Sequence, residues 1–152
     1  MFVGRHARSL DKKGRLAIPA EFLNRLGVDE RDEIYVTPGE QGCVFLLPKS
    51  YYSAFVAKVE EAGDDEIADQ FFHFSQLRSI DKAGRLLLDE GAREFADIPD
   101  PAGAAKVTVM VCGSGRYLQV WEHDDYLSRV KSGRSFAKSL RRIRKQAEEA
   151  LR

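Results

Sequence analysis

The sequence predicts an α+β protein in which one β-rich unit is used twice. Three observations predict it. Residues 8–16 read Arg-Ser-Leu-Asp-Lys-Lys-Gly-Arg-Leu and residues 78–86 read Arg-Ser-Ile-Asp-Lys-Ala-Gly-Arg-Leu, identical at seven of nine positions and displaced by 70. Each copy is followed by the same succession of helix and strand signals. A chain of 152 residues holds one ordinary domain or two small halves that share a core. Core packing repeats hydrophobic patterns, but it does not demand a repeated Asp-Lys-x-Gly-Arg. A duplicated polar loop implies a surface presented twice, about an approximate two-fold axis.

Ala7 to Leu10 and Arg15 to Ile18 read as short strands around Asp11-Lys-Lys-Gly14. Asp opens turns by bonding backbone amides, and Gly supplies the positive φ at the end. The pattern predicts a hairpin with a bulge at the glycine. Asp81-Lys-Ala-Gly84 obeys the same rules. A short helix follows each loop, opened by Pro19 and ended by Gly27 in the first copy, and capped by Asp89 in the second. Strand pairs come next: Ile34 to Thr37 with Val44 to Leu47, and Val107 to Val111 with Tyr117 to Trp121 around Gly113-Ser-Gly115. A closing helix completes each unit. Ser50 is expected to cap the first, with Tyr52, Phe55, Val56 and Val59 on one face; the second starts near Asp124, with Tyr126, Leu127 and Val130 matching.

Ile67, Phe71 and Phe74 fall at helical spacing, so Asp64 to Phe74 is expected to be a linker helix. Phe71, Phe72 and Phe74 read as core or subunit-interface residues rather than a stacking platform for bases. A last helix from about Ser135 carries one apolar stripe, Phe136, Leu140, Ile143, Ala147 and Leu151, which should dock on its own domain or on a neighbouring subunit. The expected division is residues 1–61 for the first unit, 62–76 for the linker helix, 77–131 for the second unit and 132–152 for a basic amphipathic helix.

Formal net charge is zero, yet the charges are polarised. Arg5, Arg8, Lys12, Lys13 and Arg15 face only Asp11 in the first sixteen residues, and Lys131, Arg134, Lys138, Arg141, Arg142, Arg144 and Lys145 form an acid-free cluster. The acids gather at 60–69 and 89–100. Such polarity steers a polyanion to one face without net charge; solvated surface charge is the plainer alternative. The start lacks a signal peptide, and no apolar run approaches the roughly 20 residues of a membrane span. Cys43 and Cys112 are too few for a disulfide framework and read as buried thiols. A cytosolic protein is expected. His6, His73 and His123 have no metal-ligand spacing, and the chain lacks Gly-x-Ser-x-Gly and a phosphate loop. No catalysis, metal, cofactor or small-molecule substrate is expected.

Asp11-x-x-x-Arg15 and Asp81-x-x-x-Arg85, with the opening Met-Phe-x-Gly and the Gly-Arg-Leu-x-Ile-Pro19 run, resemble the paired signature of the MraZ family. Its members are bacterial transcriptional regulators built from two AbrB/SpoVT-type units. The resemblance spans Met1 to about Lys131. It implies an intramolecular pseudo-two-fold barrel, in which strands of each half complete the other, with short helices and a C-terminal helix. It also implies a homo-oligomeric ring, an octamer or a dodecamer. Such rings bind repeated short G-rich boxes in double-stranded DNA upstream of the division and cell-wall operon, which places the protein at the nucleoid. Two departures stand out: Leu88-Asp89 replaces Ile18-Pro19, and Ala83 replaces Lys13.

A two-stranded β-ribbon or its turn fits the major groove, and a guanidinium can bond guanine O6 and N7 together. Arg15 and Arg85 are therefore the candidate base readers. Lys12, Lys13, Lys82, Arg8 and Arg78, with Arg5, are the candidate phosphate contacts. Asp11, Gly14, Asp81 and Gly84 are the turn formers. The Asp either holds the turn through backbone amides or orients its Arg; a bare Asp–Arg pair is the alternative, although an exposed pair contributes little. A ring-shaped interaction scaffold whose basic loops bind an acidic partner stays open; the tandem form argues against an antitoxin-like module, which normally carries one unit.

Overall fold

The computed structural model describes residues 1–129 and 133–152, and only the backbone of Gly133, Arg134 and Ser135. Val130, Lys131 and the expected boundary at 131/132 lie outside the described residues. The elements run β1 (Arg5–Ser9), β2 (Arg15–Ala17), α1 (Ala20–Leu23), β3 (Glu33–Pro38), β4 (Val44–Leu47), α2 (Lys49–Glu61) and α3 (Asp65–Phe74). They continue with β5 (Gln76–Ser79), β6 (Arg85–Leu87), α4 (Glu90–Phe95), β7 (Thr108–Gly113), β8 (Leu118–Glu122), α5 (His123–Arg129) and α6 (Gly133–Ala150). The sequence of element types within each half is as expected.

The pairing differs from the expected hairpins. β1 does not pair with β2, and β5 does not pair with β6. β1 lies on β7 and β5 lies on β3, so each half lends its first strand to the other half's strand pair. The resulting antiparallel sheet has the order β1-β7-β8-β4-β3-β5. Exchanging the halves reverses this order onto itself, with the pseudo-two-fold axis at the Phe45–Gln119 pair of β4 and β8. β2 and β6 pair only with each other, Leu16 opposite Leu86 on the same axis.

The expected barrel is not formed. The six-stranded sheet is open, its edges β1 and β5 unpaired with one another, and the β2–β6 ribbon is a separate two-stranded sheet. The physical cause is local. At each Asp-x-x-Gly corner the chain leaves the large sheet, and five residues after the glycine it enters a helix at Pro19 or Asp89. Strands this short cannot bridge two sheet edges. They satisfy their backbone groups on each other instead.

Strand alternation divides the apolar residues between the two faces of the large sheet. Ile34, Val36, Val44, Leu46, Val109, Val111, Leu118 and Val120 face the ribbon, α1 and α4, where Leu16, Leu86, Ile18, Leu88 and Phe22 are buried with them. Phe45, Leu47, Met110, Cys112 and Trp121 face the other way, among Tyr35, Tyr51, Tyr52, Tyr117 and Tyr126. Because both faces are covered, β4 reads as the unbroken run Val-Phe-Leu-Leu. Asp89 caps α4 through the Ala92 amide, as expected. Ser50 does not cap α2: the preceding residue to that helix is Pro48, and the Ser50 amide donates to Glu30. Phe71 stacks between Tyr52 and Phe55, with centroids 5.6 and 5.0 Å away. Residues 136–152 of the C-terminal segment are exposed throughout.

Candidate nucleic-acid interface

The two loops are built alike to the atom. Asp11 Oδ1 accepts the Lys13 amide at 3.0 Å and the Arg15 amide at 2.9 Å. Asp11 Oδ2 accepts Arg15 Nε at 2.6 Å. In the second copy Asp81 Oδ1 accepts the amides of Ala83 at 3.0 Å and Arg85 at 2.9 Å, and Oδ2 accepts Arg85 Nε at 2.9 Å. Each carboxylate thus does both things the sequence left open, closing the turn and orienting the arginine. Partial burial pushes the Asp11 carboxyl up, but the Arg15 and Lys13 hydrogen bonds outweigh it and leave its pKa below the ordinary carboxylate range. Asp81 is held below that range chiefly by the Arg85 amide.

Gly14 and Gly84 end the turns at φ +87° and +77°. Their carbonyls tie the loops to the opposite copy, since the Leu88 amide donates to Gly14 O and the Ile18 amide to Gly84 O, both at 2.9 Å. A Cβ on Gly14 would stand 2.9 Å from the Leu88 carbonyl oxygen and 2.7 Å from Arg93 Nη1. Arg93 itself donates to Leu88 O. Its part was not visible in the sequence, because no spacing rule links position 93 to position 14.

The ribbon decides where the arginines point. Leu16 and Leu86 are fully buried on its inner face. Alternation therefore puts Arg15, Ala17, Arg85 and Leu87 together on the outer face, with Arg15 opposite Leu87 and Ala17 opposite Arg85. Strand rise and spacing put the two arginine Cα atoms about 8 Å apart. Each guanidinium is held through Nε, and among the described residues neither Arg15 nor Arg85 has a hydrogen bond from its Nη atoms. Two oriented guanidinium forks stand side by side, their ends unoccupied.

The other candidate residues are distributed unequally. Lys13 and Lys82 are exposed beside the forks. Lys12 donates to Gly103 O at 2.7 Å, across the halves. Arg8 donates to the neighbouring Ala7 O. Arg78 binds Gln76 and Asp89 beside the α4 cap. Arg5 lies away from the ribbon, donating to the Tyr126 hydroxyl at 2.9 Å. Among the described residues no three His, Cys, Asp or Glu gather as a metal site, and no helix is long and apolar enough to cross a membrane.

Intertwined halves that share a paired ribbon and repeat one loop are consistent with a tandem of AbrB-like units. The family model "MraZ protein, putative antitoxin-like" matches residues 1–75. The transcriptional regulator MraZ of Pelotomaculum thermopropionicum is 30% identical over 131 residues, covering 83% of each chain. That of Finegoldia magna is 27% identical over 134 residues, 83% of this chain and 84% of its own. That of Roseiflexus sp. is 29% identical over 126 residues, 80% of each. The chain belongs to the MraZ family: it is a transcriptional regulator and not an enzyme.

Proposed function

We propose that the outer face of the β2–β6 ribbon enters the major groove of double-stranded DNA and that Arg15 and Arg85 read guanines there. The observation that carries this reading is the division of each guanidinium, Nε held by Asp and the Nη atoms without a hydrogen-bond partner among the described residues. A fork fixed in this way meets guanine O6 and N7 without losing side-chain freedom on binding. Lys13 and Lys82 are the nearest candidates for flanking phosphates, with Lys12 and Arg8 behind them. Arg78 and Arg5 are engaged within the protein and contribute charge at longer range. The expected partner is a set of repeated short G-rich boxes upstream of the chain's own operon, in the division and cell-wall cluster. Copies assembled in a ring, an octamer or a dodecamer as the family resemblance implies, engage successive boxes. The site of action is the cytoplasm, at the nucleoid.

Fluorescence anisotropy on the duplex upstream of the chain's own gene tests this. Wild type is compared with Arg15→Ala, Arg85→Ala and the double variant, with a shuffled duplex as control and size exclusion to follow assembly. Preference for the natural duplex that collapses in the variants supports the reading. Equal binding to both duplexes would sink it and favour a scaffold whose basic loops meet an acidic protein.

A further inference from the structure

Residues 1–129 hold sixteen Lys and Arg against twenty-two Asp and Glu, a net charge of −6; residues 130–152 hold eight against two, a net +6. The part of the chain that carries the ribbon is thus an anion, and a duplex is a denser one, with a negative charge about every 1.7 Å. At long range the body alone repels the DNA that its ribbon is shaped to touch.

The compensating charge is organised. On α6, Lys138, Arg141, Arg142 and Lys145 recur at i, i+3, i+4 and i+7, which puts them in one ridge about 10 Å long. All four are exposed. Among the described residues none of them has an ion-pair partner, whereas Arg144 is paired with Glu148 at 2.6 Å. Phe136, Leu140 and Ile143 lie on the opposite side of the helix, 66, 49 and 54% exposed. A surface that covers this apolar stripe leaves the four cations facing outward.

We propose that this α6 ridge is a second contact to duplex DNA, made to the phosphate backbone and blind to sequence. It rests on the reading of the chain as a DNA-binding protein, but not on Arg15 and Arg85 as base readers. The ribbon chooses the site, and the ridge offsets the anionic body and holds the duplex near it.

The test uses the full chain carrying Lys138→Gln, Arg141→Gln, Arg142→Gln and Lys145→Gln together; glutamine keeps helix propensity. Circular dichroism and size exclusion check fold and assembly. Binding to the natural and shuffled duplexes is measured across a salt series. Each phosphate contact contributes about 0.9 to the slope of log affinity against log salt, so the slope should become shallower by about 2 to 4. Affinity for the shuffled duplex should fall by roughly tenfold or more at near-physiological salt. The ratio of natural to shuffled binding should be kept, because phosphate contacts carry no sequence information. Unchanged slope and shuffled-duplex affinity would overturn the proposal. Binding to vesicles of phosphatidylcholine and phosphatidylglycerol that needs the ridge, with DNA binding unaltered, would overturn it in favour of a lipid surface. Arg15→Ala/Arg85→Ala separates the two readings: if that variant keeps its sequence preference, the ribbon assignment fails while the salt slope still decides the ridge.

Discussion

In each loop a single carboxylate divides its two oxygens, one for backbone amides and one for a guanidinium. Residue types offered these roles as alternatives, because Asp-x-x-Gly spells a turn wherever it occurs and an arginine follows the glycine. Which guanidinium nitrogen is used needs coordinates, and that detail decides whether the arginine is spent on its neighbour or presented to a ligand. Replacing Arg15 or Arg85 by Ala should reduce discrimination between natural and shuffled duplex by about 5- to 150-fold each, from about 1–3 kcal/mol per bidentate contact. The melting temperature should hardly change, since partly exposed pairs add little stability. Asp11→Asn should be more harmful to the loop, as it weakens the hold on Arg15 Nε. Both carboxyls titrate below their ordinary value. Their stabilising effect is therefore complete above about pH 4 and is lost as pH falls through the depressed folded-state value. Amide hydrogen exchange at Lys13, Arg15, Ala83 and Arg85 across that range checks it: protection that survives full protonation would contradict the assignment. Gly14→Ala should destabilise by at least about 1 kcal/mol, through positive φ and the crowded Leu88 carbonyl, as thermal unfolding would show.

The β2–β6 ribbon is only three residues wide on each side, so it depends on what lies under it. Leu16 and Leu86 are opposite one another and wholly buried. Leu16→Ala or Leu86→Ala should each cost about 2–5 kcal/mol. The two effects should not add, because the side chains share one site; urea unfolding of the single and double variants measures this. At this scale the sequence misled in one respect. Alternation places a residue on a face of a sheet but does not name the partner strand. Arg15-Leu-Ala17 looks the same whether it folds back on Ala7–Leu10 or crosses to Arg85–Leu87. The hairpin expectation failed for that reason, and the barrel implied by resemblance failed because helix starts at Pro19 and Asp89 cut the strands short. The order of elements was legible, since the duplication supplies two readings of each one.

Across the whole molecule, the proposed ring would set several pairs of loops on one duplex and turn weak single contacts into strong ones. A duplex with several boxes at natural spacing should bind about 10²- to 10⁴-fold more tightly than one with a single box. Equal affinities would mean that copies act singly. Cysteine chemistry should play no part in assembly. Burial pushes the Cys43 thiol up to about 12, and Cys112 is raised by the same cause. Cys43→Ser with Cys112→Ser should leave size-exclusion profiles and DNA binding intact, with or without reductant.

The exchange of first strands also bears on how the chain is made. Arg5 faces Cys112 across β1 and β7, so β1 leaves the ribosome more than a hundred residues ahead of its partner. Meanwhile β3 and β4 can pair with each other, but β3 lacks β5 and β4 lacks β8. The nascent N-terminal half thus emerges with open strand edges that no local contact closes. Its structure is completed only when most of the chain has been synthesised, and a messenger cut short after the first copy encodes a sticky fragment rather than half a regulator.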